Sequence, residues 1–179
     1  MLDAGAADGT RSRRIAAACG IPELVMLEPS VAMQGAREGC FWTMRAEELG
    51  SASGEFDVIT CLWNVLGHVS DRVEALRQFA RLLAPEGRAI LDVNHRYNAR
   101  QYGVLPTLGR FLRDTVAWRE TSGDVEFPWG KGHVFTHREM IALFGAAGLR
   151  VRKRIVVDYE TGQVRRRSCE GQLLYVLAR

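Results

Sequence analysis

The chain opens Met1-Leu2-Asp3-Ala4-Gly5-Ala6-Ala7-Asp8-Gly9-Thr10 and continues Arg11-Ser12-Arg13-Arg14-Ile15-Ala16-Ala17. This stretch reads as the end of a β-strand, a glycine-containing turn and the start of an α-helix. Gly5 and Gly9 remove side chains where the backbone turns sharply and a ligand approaches closely. The helix that follows offers unpaired N–H groups and the positive end of its dipole to an electron-rich ligand. Open α/β sheets build nucleotide-like sites from strand–turn–helix units of this kind.

Spacing discriminates between ligands. A dinucleotide fold requires G-x-G-x-x-G, with the middle glycine making room for the pyrophosphate. Counted from Gly5, the third position is Ala7 and the sixth Thr10, so two of the three glycines are missing. Asp3 repels a pyrophosphate and suits a cationic ammonium. The turn resembles the first motif of class I S-adenosylmethionine (SAM) methyltransferases, acidic-x-Gly-x-Gly-x-Gly, with Ala7 in place of the middle glycine. A tight strand-to-helix connection with no ligand is the alternative.

The 179 residues suit one domain, with an apolar fraction of 47% and a charged fraction of 25%, values ordinary for a soluble globular protein. A net charge of +3 does not by itself indicate a nucleic-acid partner. No uninterrupted apolar run reaches the ~18 residues of a membrane span, and no export signal is visible at the N-terminus. Cys19, Cys40, Cys61 and Cys169 lie far apart without a C-x-x-C pair, so reduced thiols and a cytoplasmic location are expected. Only Met1 and Leu2 precede Asp3, whereas buried parallel strands usually run five or six residues. The chain therefore reads as N-terminally truncated within its first strand.

Downstream, a helix is expected over Thr10–Cys19, capped by Gly20. Leu24-Val25-Met26-Leu27 is a strand covered on both faces, closing on Glu28-Pro29. An acid at this strand end is placed to accept from the two ribose hydroxyls of an adenosine; a solvated strand-end charge is the plainer alternative. A short helix is expected from Ser30 through Glu38 and a third strand over Cys40–Arg45. Glu55 to Asn64 forms the clearest strand. Asp71-Arg72-Val73-Glu74 is a capping box opening a helix with an apolar stripe through Val73, Leu76, Phe79, Ala80 and Leu83. A Pro85-Glu86-Gly87 turn and an apolar strand to Asn94 follow.

These segments resemble the same methyltransferase family in order and spacing. Phe56-Asp57 with its apolar run and Asn64-Val65-Leu66-Gly67-His68-Val69 is similar to the fourth-strand motif of its small-molecule members, and Arg81 to Asn94 to the passage into the fifth strand. The resemblance implies that Ala46 and Glu47 hold adenine, with Arg45 standing where an acid is usual. It also implies that Cys61 and Leu62 border the methionine part of SAM. The implied cofactor set is Asp3, Gly5, Ala6, Gly9, Glu28, Pro29, Ala46, Glu47, Cys61 and Leu62. His68 is the candidate general base, its ordinary pKa near 6.5 suiting the task; packing between loop and sheet is the other role open to it. Asn94, His95, Tyr97 and His133 are further candidate helpers.

From His95 to Phe135 both periodicities fade and aromatic residues gather, including Tyr97, Tyr102, Phe111, Trp118, Phe127 and Trp129. Loops beyond the carboxyl ends of strands border the ligand crevice, so 95–135 reads as an insertion covering an acceptor, with Arg113–Glu120 as one strand of an antiparallel flap. Its aromatics imply a flat or apolar acceptor, or else a satellite core. Thr136-His137-Arg138-Glu139 caps a helix burying Met140, Ile141, Leu143 and Phe144. Two closing strands, Leu149–Tyr159 and Gly171–Ala178, must pair antiparallel, because a parallel pair requires a long crossover.

The expected fold is an α/β Rossmann-like three-layer sandwich: a mostly parallel seven-stranded sheet, order 3-2-1-4-5-7-6, with an antiparallel terminal hairpin. The expected domain spans 1–179. The resemblance implies SAM-dependent methyl transfer to a small molecule, without a metal, a nucleic-acid partner or a membrane. A binding protein that retained the fold without turnover remains an alternative, as does a nicotinamide oxidoreductase, which Ala7 and Thr10 disfavour. The arginines at 150, 152, 154 and 165–167 read as outward-facing strand and loop charges rather than an RNA surface.

Overall fold

The computed structural model describes residues 1–36, 38–116, 123–127 and 130–179, the Phe127 side chain excepted. Short apolar runs form the strands β1 (Leu2–Ala4), β2 (Val25–Leu27), β3 (Cys40–Trp42), β4 (Phe56–Cys61) and β5 (Leu83–Val93). Neighbours among them pair parallel, β1 lying between β2 and β4. The helix α1 (Thr10–Ala18) connects β1 to β2, and α2 (Arg72–Leu82) connects β4 to β5. Asp71 caps α2 by accepting from the Glu74 N–H at 2.9 Å. The inner face of α2 buries Leu76, Phe79 and Ala80 against the sheet.

After β5 come α3 (Ala99–Tyr102), α4 (Val104–Val116) and a separate hairpin of β6 (Asp124–Phe127) and β7 (Gly130–His133). The chain closes through α5 (His137–Ala146), β8 (Arg150–Asp158), β9 (Gln163–Arg165) and β10 (Gln172–Ala178). The main sheet runs β3-β2-β1-β4-β5-β10-β8-β9. The expected order is therefore present, β10 and β8 forming the antiparallel finish. An eighth strand, β9, adds to the edge of β8 where only a connection was expected.

Five local expectations are corrected. After Ser30 there is a single 3-10 turn, Val31–Met33, because Gly35 turns left-handed at φ 56° and ends any helix. The third strand stops at Trp42. Pro85-Glu86-Gly87 lies within β5 as a bulge: Phe56 faces Leu83 but Val58 faces Arg88. Residues Arg113–Val116 continue α4, while 117–120 lie outside the described residues. Pro106 does not break α4 because it sits in the first turn, where no helical N–H is required. On α5, Met140 and Phe144 are buried as expected whereas Ile141 is exposed.

The segment 95–135 leaves and re-enters the fold at one point. Arg96 N–H donates to the Phe135 carbonyl at 2.9 Å, and Phe135 N–H to that of Asn94 at 2.8 Å. Inside it, the buried Arg96–Asp114 ion pair at 2.8 Å ties α4 to the end of β5, and the Tyr97 hydroxyl donates to the same carboxylate at 2.7 Å.

Candidate active site

The strand order reverses direction beside β1, and loops diverging from two strand ends leave a crevice at such a point. Here it is a cavity of about 510 Å³. The turn after β1 forms its floor. Gly5, Ala7 and Gly9 all take left-handed φ values, 76°, 50° and 75°, which glycine adopts freely and alanine does not. The costly one, Ala7, is pinned: its N–H donates to Glu28 Oε2 at 3.1 Å. The other carboxylate oxygen of Glu28 accepts the Ser30 N–H at 2.9 Å. Glu28 thus links the turn to the end of β2 with its carboxylate oriented before any ligand arrives.

Of the ten residues expected to hold a cofactor, Gly5, Glu28, Pro29, Ala46 and Glu47 line this cavity, and so does His68. Asp3 does not. Its buried carboxylate accepts Ser12 Oγ at 2.5 Å and Thr60 Oγ1 at 2.6 Å, tying β1 to α1 and β4 beneath the turn. Gly9 also works from behind, since a Cβ there would stand 2.3 Å from Met26 Sδ. Ala6 and Cys61 are buried and Leu62 half-buried, all three off the cavity wall. Burial raises the Cys61 thiol pKa, the carboxylates of Asp92 and Asp3 adding to the effect. The residue after Leu62 reaches the wall instead: Trp63, 59% exposed.

Arg11 was not singled out by sequence. Its Nη2 donates to the Gly5 carbonyl at 3.2 Å, and its guanidinium lies 5.8 Å from the Trp63 ring centroid. Its buried Nε–H has no partner among the described residues. At the far end, Arg45 N–H donates to Glu48 Oε2 at 2.9 Å, closing the 3-10 turn Ala46–Ser51. That leaves Glu47, not Glu48, on the cavity wall.

A smaller cavity of about 290 Å³ adjoins the first, and Trp63 and His68 line both. The partition is held by a buried polar knot. Trp63 and Asn64 are consecutive left-handed residues, φ 66° and 58°. Asp92 Oδ1 accepts the Asn64 N–H at 2.8 Å, Asn64 Oδ1 accepts the Asn94 N–H at 2.9 Å, and Tyr159 donates its hydroxyl to Asp92 Oδ2. Burial pushes the Asp92 carboxyl up despite those bonds. An acid inside the apolar run Ala89-Ile90-Leu91-Asp92-Val93 is the signal that could have revealed this knot.

The five candidate helpers separate. His68 accepts no proton at Nδ1 while that atom faces the Lys131 carbonyl at 3.0 Å. A carbonyl only accepts, so Nδ1 carries the hydrogen and Nε2 is the acceptor. Asn94 lines the smaller cavity. His95 is a strut: Nδ1 meets the Ser168 carbonyl at 2.9 Å, and burial drops its pKa to about 4. Tyr97 serves Asp114, and His133 is clamped between Asp124 and Glu139, each at 2.7 Å.

A parallel sheet with its cavity at the strand reversal and an antiparallel finish defines the Rossmann-like methyltransferase class of fold. The chain belongs to the methyltransferase domain family, which it matches over residues 1–154. A ubiquinone biosynthesis O-methyltransferase of Aeromonas salmonicida (strain A449) is 30% identical over 141 residues, 78% of this chain and 52% of that protein. The chain thus spans about half the length of the curated relative it matches. A SAM-dependent methyltransferase of Clostridium acetobutylicum ATCC 824 superposes with a TM-score of 0.70 at 11% identity, covering 99% of this chain and 82% of that one. The CcbJ methyltransferase of Streptomyces caelestis gives 0.71 at 14%, with the same coverages of 99% and 82%. At these identities the two structures share the fold. No helix among the described residues is long and apolar enough to cross a membrane.

Proposed function

We propose that this chain binds S-adenosylmethionine in the larger cavity and transfers its methyl group to a small-molecule acceptor in the smaller one. The observation that carries the reading is that Glu28, Glu47 and Arg11 line one cavity. A pre-oriented carboxylate at Glu28 retains lone pairs for the ribose hydroxyls. Glu47 accepts from the adenine amine beside Ala46 and Pro29, and Arg11 meets the donor's carboxylate. Gly5 permits close approach. Asp3, Ala6, Gly9, Cys61 and Leu62 act behind this surface by shaping it.

Bound SAM supplies a methyl group on a positively charged sulfur, so the protein's own contribution is alignment and exclusion of water. Trp63 and His68 stand on the border the methyl must cross, and His68 Nε2 is free to take a proton from the acceptor. The segment 95–135 covers the acceptor side, and the chain acts as one domain over 1–179. A cytoplasmic setting belongs to the same reading, supported by the scattered cysteines.

Calorimetric titration of SAM tests the proposal. Glu28→Ala should weaken binding by about 1–3 kcal/mol, roughly 5- to 150-fold, for a carboxylate hydrogen-bonded to ribose, with the far-ultraviolet spectrum unchanged. Equal affinity in the variant removes Glu28 from the site, and NADH binding in place of SAM overturns the assignment. SAM binding without methyl transfer to any acceptor would favour a binding protein of the same fold.

A further inference from the structure

The smaller cavity differs in character from the flat or apolar acceptor site expected from sequence. Among the described residues, its one aromatic wall is the Trp63–Tyr159 pair, ring centroids 5.2 Å apart. Tyr159 turns its hydroxyl away into Asp92, so the cavity meets ring and not phenol. Among the described residues, the ionisable side chains on its wall are Arg100, the neutral His68 ring and three carboxylates, Asp158, Glu160 and Glu170. Asp158 is neutralised by Arg165 at 2.7 Å and Arg100 at 3.3 Å. Glu170 accepts only the N–H of Arg167, at 3.4 Å, and the exposed Glu160 carboxylate takes no partner among the described residues. Among the described residues on this wall, the charge left over is negative.

A second observation is independent of these acids. Asn98 is 4% exposed and lines the cavity. Its Oδ1 caps α3, accepting from Arg100 N–H at 3.2 Å and Gln101 N–H at 3.3 Å. Its Nδ2 donor finds no acceptor among the described residues. That donor is open to the cavity Asn98 lines, where a ligand oxygen can accept from it. Aromatic faces combined with uncompensated carboxylates attract an ammonium and repel an acid.

We propose that the acceptor is a small amine that also carries hydroxyl groups, seated with its nitrogen between Trp63 and the Glu160 and Glu170 carboxylates and an oxygen on Asn98 Nδ2. This rests on the SAM reading above and adds the acceptor's chemical class. The ammonium gives one proton to His68 Nε2, which passes it to water. The freed nitrogen lone pair then forms the N–C bond as the C–S bond breaks with its electron pair staying on sulfur. The positive charge moves from sulfur to the methylated nitrogen.

The test uses the full chain with SAM or its demethylated product bound. Ethanolamine and glucosamine are compared with their amine-free counterparts, ethylene glycol and glucose, and with catechol and benzoate. The readouts are NMR shifts of the Trp63 indole and Asn98 side-chain N–H signals, and the mass of any methylated product. The amines should shift both signals more tightly than their neutral counterparts, and any methyl should appear on nitrogen. The double variant Glu160→Gln, Glu170→Gln should weaken amine binding about two- to fivefold, as expected for partly exposed charge pairs, with SAM affinity unchanged. Equal binding of glucose, tighter binding of catechol or benzoate, insensitivity to the double variant, or no response to either amine overturns the acceptor class. Failure of the donor reading looks different, because SAM titrated into the same samples would then not bind.

Discussion

Gly5 carries two constraints at once. Its φ of 76° is left-handed, and an added Cβ would stand 2.3 Å from Val65 Cγ2 on the cavity wall. Gly5→Ala should therefore lose about 1–2 kcal/mol from the backbone alone and also push Val65 into the space a donor needs. Gly20 separates the two effects, since its φ is 63° but a Cβ there would meet nothing within 4 Å. Gly20→Ala should show the backbone loss in urea unfolding and leave SAM affinity intact, whereas Gly5→Ala should lower both. Equal SAM affinity in the two variants would remove Gly5 from the site. Residues such as Gly5 and Glu28 were legible because a turn and a strand end dictate their types. Arg11, Trp63 and Asp92 were not, because their roles come from partners far along the chain. Asp92 is 28 positions from the Asn64 N–H it holds, a relation no local pattern carries.

Whole elements were legible where one hydrophobic period persists, as in β4, α2 and β8. They were obscured where a breaker coincides with a helix start. Val104, Leu105, Leu108, Phe111, Leu112 and Val116 recur at helical spacing along α4, yet Pro106 and Gly109 disguise the pattern, and Arg113–Val116 of the expected strand proved helical. The β6–β7 hairpin is anchored by chemistry rather than burial. Burial works against a charged His133, but hydrogen bonds to Glu139 and Asp124 and the Glu139 charge outweigh it, with nearby Arg72 opposing, and its pKa lies above 6.5. A histidine with a raised folded pKa contributes stability that is fully present below about pH 6.5 and is lost as pH rises through the folded value. Hydrogen exchange of the β6 and β7 amides, corrected for intrinsic rate, should show easier opening as pH rises through that window. His133→Asn should remove the pH dependence. A hairpin whose opening does not change with pH would mean that the clamp is neutral.

At the scale of the molecule, the sheet order was legible because buried parallel strands are short apolar runs, and the ending because two strands without a crossover must pair antiparallel. Among the described strands of the main sheet, the three-residue β9, too short to show a period, was missed, as were the strands of the separate β6–β7 hairpin. The same architecture spreads the larger cavity over β1, β2, the turn at 46–51 and the segment 63–70. A ligand that bridges four segments binds the folded chain and not the unfolded one, so occupancy must raise global stability by mass action. At SAM concentrations about 100-fold above Kd the gain is about 2.7 kcal/mol, which for a chain of this length corresponds to a Tm rise of roughly 5–10 °C. Calorimetric scans at rising SAM should follow that logarithmic dependence. Glu28→Ala should need correspondingly more ligand for the same rise, and NADH at equal concentration should give none. A Tm indifferent to SAM would mean that the cavity walls do not act as one site, whatever their arrangement around it.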